Sequence, residues 1–237
     1  MRAHKLSVGI VVFSLAFTSL VFAQKKSTAT SGTAVFMEDH GKLAIQLNGQ
    51  TVGHEQFEIT PVAANWTARS TTDIKSPDTS ATRVTGTLTL QSDGAPVAYE
   101  WTSKTEKTNG AHILFSNGVA KITLEMQGAR PFEQDLTFGT PRIAVLDDNL
   151  YYQYAILARL YDWSKRGTQN LPVIIPQELT PGSISVEPAG PTVAGDGKSY
   201  DALRVSTSDL QVILFLDSNH RLMRLEVASA KVTVARE

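Results

Sequence analysis

The chain has 237 residues, a formal charge of −1 and no cysteine. The missing thiols exclude disulfide stapling, attachment of a lipid at a processed cysteine, thiol nucleophiles and thiolate metal sites. The near-neutral balance argues against a nucleic-acid backbone as partner, because such binders concentrate positive charge. It equally argues against adhesion to anionic lipid by charge alone.

Arg2, His4 and Lys5 form a basic start, and Leu6 to Phe22 is an apolar run broken only by Ser7, Gly9, Ser14, Thr18 and Ser19. Val21 and Ala23 then stand three and one positions before a cut preceding Gln24. The pattern predicts a secretory signal peptide over residues 1–23, and hence a periplasmic or extracellular protein. The alternative is an uncleaved anchor, since a run of about 17 residues is at the lower limit for crossing a bilayer. Cleavage removes Arg2 and Lys5 and takes the formal charge from −1 to −3. Residues 24–33 are Gln, Lys, Ser, Thr, Ala and Gly, and predict a flexible segment that cannot bury enough apolar surface to order itself. Residues 34–237 are then one β-rich domain, long enough to hold a core without covalent staples.

Leu43, Ile45 and Leu47 alternate with polar residues up to Asn48-Gly49, and alternation resumes from Val52 to Ile59. Asn-Gly between two such runs predicts a type I′ hairpin, whose central residues both need positive φ. The device recurs at Ser92-Asp93-Gly94, between Val84–Leu90 and Val97–Trp101, and at Asn117-Gly118, between Ile113–Phe115 and Val119–Met126. Later runs at 203–205, 212–216, 222–227 and 232–234 form a second series. Short strands with frequent turns predict antiparallel sheet with one apolar face.

Between the two series lies one helical pattern, expected near 147–165. Leu150, Tyr154, Leu157 and Tyr161 recur every three or four residues, with Tyr151, Ala155 and Ala158 beside them. Asp147 or Asp148 is placed to cap the first turn, and Lys165 and Arg166 suit a C-terminus before Gly167. So broad an apolar stripe does not suit a surface helix with one neighbour. The expected architecture is a strongly bent antiparallel sheet, close to a half-barrel, with this helix covering its concave face. Leu171 to Pro176 is too proline-bounded for a central strand and predicts an edge segment.

Signatures of catalysis are largely missing: there is no Gly-x-Ser-x-Gly, no His-Glu-x-x-His and no glycine-rich phosphate loop. His40, His54, His112 and His220 are dispersed, so no metal and no cofactor is expected. Asp217-Ser218-Asn219 lacks the closing Glu of a calcium loop and reads as a turn. Asp147, Asp148 and Asp162 bracket the helix, where capping explains the first two better than acid/base chemistry.

Alternation puts Glu55 on the same face as Phe57 and Ile59. Glu55 is either a strand-end residue open to water or a core carboxylate that needs a partner and offers a ligand handle. Tyr151, Tyr152, Tyr154, Tyr161 and Trp163 either fill the core or line the entry of an apolar ligand. The candidate ligand-binding residues are therefore Glu55, Phe57, Tyr151, Tyr154, Leu157 and Tyr161.

The stretches "NGQTVGHEQFEI", "LQSDGAPVAYEW", "DDNLYYQYAILARLYDW" and "LFLDSNHRLMRLEV" resemble, in pattern and order, the DUF3108-like family of exported bacterial domains of unknown function. The resemblance spans about Gly41 to Arg236; "LPVIIPQEL" and the "PAGPTVAGDGKSY" loop fall outside it. It implies a half-barrel-like sheet similar to lipoprotein-localisation folds that shelter acyl chains, and it carries no catalytic residues. The leading expectation is an exported, non-enzymatic protein binding a lipid or other apolar small molecule between sheet and helix. The alternatives are an envelope scaffold that meets a protein partner, and a hydrolase pairing Glu55 with a histidine. No nucleic-acid partner and no membrane span in the mature chain are expected.

Overall fold

The structure, a computed structural model, describes residues 36–75 and 80–237; the expected signal peptide and residues 24–33 lie outside them. Fifteen strands among the described residues form one sheet. The first series is β1 (Asp39–Leu47), β2 (Gln50–Val62), β3 (Asn65–Ile74), β4 (Thr82–Gln91), β5 (Pro96–Lys104), β6 (Thr108–Ser116), β7 (Val119–Met126) and β8 (Phe132–Thr137). A two-residue strand, β9 (Ala144–Val145), precedes the helix α1 (Tyr152–Leu160). The second series is β10 (Gln169–Ile175), β11 (Thr180–Val193), β12 (Ser199–Ser206), β13 (Gln211–Leu216), β14 (Leu222–Val227) and β15 (Val232–Arg236).

Each series is a meander, and the two meet where β1 pairs with β15, so among the described residues the sheet runs from an edge at β8 to an edge at β9. The expected turns do their work: Asn48 and Gly49 sit at φ 52° and 78°, Asn117 and Gly118 at 51° and 77°. Register shifts at Ile45/Gln46, Thr89/Leu90, Pro188/Gly190 and Phe215/Leu216 add local twist. Inner-face residues of both series and the buried residues of α1 share a single core, so the sheet curves around the helix.

The helix is the crossover of a parallel pair. β9 and β10 run parallel, which no tight turn can connect, and the chain between them carries α1. Its extent differs from expectation: nine residues are helical, not the span from 147 to 165. Asn149 at φ 62° breaks the pattern on one side, and Tyr161 turns extended on the other. The prolines of "PAGPTVAGDGKSY" also differ from expectation, because Pro188 and Pro191 lie within β11. They are tolerated because β10 pairs with β11 only as far as Val186, leaving the rest of β11 as edge on that side. β10 itself fits the expected edge character, flanked outwardly only by two-residue β9.

The seam between β1 and β15 is locked by charge. Arg236 lies across Gly41 and donates from both Nη atoms to the two oxygens of Asp39, each at 2.9 Å. Its Nε donates to the Leu222 carbonyl at 2.9 Å, and its guanidinium stands 5.2 Å from the centroid of the Phe57 ring. A Cβ on Gly41 would come within 2.9 Å of Arg236 Nη1, so the glycine is what lets the arginine pass.

Candidate functional site

A nine-residue helix is marginal by itself, so α1 depends on its seat. Seven of its residues are buried: Tyr152, Gln153, Ala155, Ile156, Leu157, Ala158 and Leu160. The sheet makes room with glycines. A Cβ on Gly86 would meet Leu150 Cδ1 at 2.9 Å and the Tyr152 hydroxyl at 3.1 Å; one on Gly94 would run into Leu160 Cδ2. The space between helix and sheet is filled at both points.

Polar contacts from outside the helix hold both ends of α1. Glu55 on β2 is fully buried, and its carboxyl accepts the Tyr151 amide at 2.8 Å and the Tyr152 amide at 3.1 and 3.2 Å. These are orphan donors of a helix N-terminus, where negative charge is favoured. At the other end Arg142 Nη2 donates to the Leu160 carbonyl at 2.9 Å and Trp163 Nε1 to that of Ala158 at 3.1 Å. Glu55 is thus neither open to water nor at a strand end; it docks the helix on the sheet.

Burial dominates the chemistry of this seat. Removal from water pushes Glu55 up to about 8, while Ser70, whose hydroxyl lies beside the carboxyl without hydrogen-bond geometry, and the two amides pull it back. Asp147 does not cap α1. It accepts the Tyr99 hydroxyl at 2.8 Å and the Asp148 amide at 3.1 Å, and its own amide donates to Gln153 Oε1. Burial pushes Asp147 up to about 6. Asp162 is far from both, drawn down to about 2 chiefly by Ser164 and Lys165 in the loop after the helix.

The six expected ligand residues are partly brought together. Glu55 meets the backbone of Tyr151, Leu157 is buried, and Tyr154 is half-buried. Phe57 lies under Arg236, and Tyr161 turns away to donate to the carbonyls of Gly167 and Lys165 at 2.8 and 3.3 Å. Among the described residues no histidine reaches Glu55: His54 and His112 face Glu237 and Glu100 on the outer face, and His220 stacks on Trp163 at 3.8 Å. Asp217 accepts the amides of Asn219 and Arg221, each at 2.9 Å, which makes its segment a turn. Among the described residues there is no cluster able to hold a metal and no helix long and apolar enough to cross a membrane.

Two surface features escaped sequence reasoning. A groove of about 750 Å³ crosses the outer face of β1 to β4, lined by His40, Lys42, Gln56, Arg69, Thr85 and Thr87 among others. On the inner face, one cross-strand row leads from Gly86 through Trp101, Ala111 and Leu124 to Phe132. Its first members are covered by the core, but Phe132 is 45% exposed and Met126 on β7 is 44% exposed. Alternation could have placed these side chains on the inner face; only the strand order shows that the face is uncovered there.

No family model matches the chain, and no curated protein matches it. Its fold is similar to the crystal structure of a beta-barrel-like protein of domain of unknown function DUF1849 from Brucella abortus, with TM-score 0.55 and 9% identity over 85% of this chain and 95% of that one. A DUF1089 family protein from Pseudomonas aeruginosa matches at TM-score 0.47 and 10% identity, over 74% of this chain and 90% of that one. The resemblance to DUF3108-like domains therefore rests on its sequence motifs alone, and the chain shares its fold with a beta-barrel-like domain of unknown function.

Proposed function

We propose that this protein is an exported, non-enzymatic interaction module that meets a protein partner of the cell envelope at the uncovered end of its inner face. The carrying observation is a contrast across the inner face: the helix seat is filled at Gly86, while Phe132 at the other end of its row and Met126 on β7 stand open. A filled core with an exposed apolar end is what a docking module needs. Export rests on the basic, apolar and small-residue pattern of residues 1–23. The kinship to exported DUF3108-like domains is part of the same proposal.

The second reading is the lipid binder. It is favoured by the same open end of the inner face, since an acyl chain suits Leu124, Met126 and Phe132. Reaching Glu55, Tyr151 or Leu157 would require the helix to leave its seat. A photo-crosslinking residue at position 132, with position 193 as an exposed control, separates the two readings in intact cells. A discrete protein adduct at 132 and none at 193 supports the module. A stoichiometric lipid in native mass spectrometry of the purified protein, with no adduct at 132, replaces it by the lipid reading.

A further inference from the structure

We infer that the free edge of β8 docks an extended strand of a partner protein in which basic and apolar residues alternate. The inference rests on the interaction-module reading and names the chemistry of the partner. β8 is six residues long, and β7 pairs with it from Leu124↔Phe132 to Val119↔Thr137. Among the described residues, no backbone or side-chain hydrogen bond engages its other side. Such an edge is a template for one more strand.

The side chains of β8 define what that strand carries. Phe132, Gln134 and Leu136 point to the inner face; Glu133, Asp135 and Thr137 point to the outer. Glu133 and Asp135 are exposed and form no ion pair among the described residues, although Lys121 stands opposite Asp135 on β7. An incoming strand therefore meets two carboxylates on one face and Phe132 on the other. Lys or Arg at alternate positions matches the first, and apolar residues between them cover the second.

A second copy of this chain does not fit. Two-fold antiparallel pairing of β8 with itself, centred on Gln134, sets Glu133 against Asp135 twice. Centred on Asp135, it sets that residue against its own copy. Like charges directly opposite are destabilising, so the edge rejects itself and admits a basic strand.

The test uses a fluorescent, end-blocked peptide of alternating Lys and Val, with alternating Glu and Val as comparison, titrated against the full chain. Wild type should bind the basic peptide about ten-fold more tightly than the acidic one, and E133K/D135K should reverse the preference. Amide exchange should slow at residues 132–137 on binding. D135K alone makes the Gln134-centred pairing self-complementary and should dimerise in sedimentation where wild type does not. Equal binding of the basic peptide to wild type and E133K/D135K, protection that maps elsewhere, or a monomeric D135K each overturns the inference. So does a wild-type dimer crosslinked through β8, or a lipid on Phe132 that displaces the peptide. A partner captured at another surface sinks the edge while leaving the module reading intact.

Discussion

Replacing Glu55 by glutamine should flatten the pH dependence of folding stability between pH 5 and 8. The folded carboxyl titrates at about 8 against an ordinary 4.5, because burial disfavours its charge more strongly than Ser70 and two helix amides favour it. A group whose pKa rises on folding keeps its proton in the native state while the unfolded chain has already lost it. Its contribution is therefore fully present below about 4.5 and is lost as pH climbs through about 8. At about 1.36 kcal/mol per unit, the shift amounts to about 5 kcal/mol across that window. Asp147, raised from 3.8 to about 6, adds loss of the same sign at the acid end, so a residual slope below pH 6 should survive in the variant. Glutamine keeps a carbonyl for the amides of Tyr151 and Tyr152 and cannot ionise. The variant should match or fall slightly below wild type at pH 5 and exceed it at pH 9. The assay is equilibrium urea unfolding at unit pH steps. Parallel wild-type and E55Q profiles from pH 6 to 8 would refute the assignment of the slope to this carboxyl.

Three further comparisons probe the seat and the seam. Gly94→Ala adds a Cβ at φ 93° against Leu160 and should lose about 2–4 kcal/mol, whereas Gly49→Ala, at φ 78° in open space, should lose only about 1 kcal/mol. Equal losses in urea unfolding would mean that the helix does not press on that turn. Arg236→Ala strands Asp39, whose side chain is 5% exposed, and should cost about 3–5 kcal/mol. A double-mutant cycle with Asp39→Ala should return a large coupling, and additive losses would show that the pair does not act as one. Tyr99→Phe removes the donor at 2.8 Å from Asp147, costs about 1–3 kcal/mol, and should move Asp147 above about 6 in a carboxyl NMR titration. An unmoved titration would place the controlling contact elsewhere.

The hairpins were legible because their cause is local: Asn-Gly at 48–49 and 117–118 needs positive φ, and alternation on either side fixes which face turns inward. The helix was legible only in type. Its ends depend on Glu55 and Arg142, which lie outside its own segment, and Glu55 is 96 residues from the Tyr151 amide it accepts. No pattern within residues 147–165 reports contacts so distant, so the aspartates before the first turn resemble caps while Asn149 at positive φ makes the helix start later. Glu55 is the instructive intermediate. Alternation correctly set a carboxylate among Phe57 and Ile59, which is a conflict that a folded protein has to resolve by solvent or by donors. The sequence states that conflict without naming its resolution, because the donors come from a helix whose position is fixed by the crossover between β9 and β10. The edge at β8 was illegible for a related reason. "FEQDLT" alternates like any inner strand, and its exposure follows from the strand order, in which the next strand on the chain, two-residue β9, pairs with β10 at the opposite end of the sheet. Whether a strand is central or free is decided by what pairs beyond it, so Phe132 becomes a surface residue because β8 ends the strand order among the described residues, rather than through any feature of its own segment.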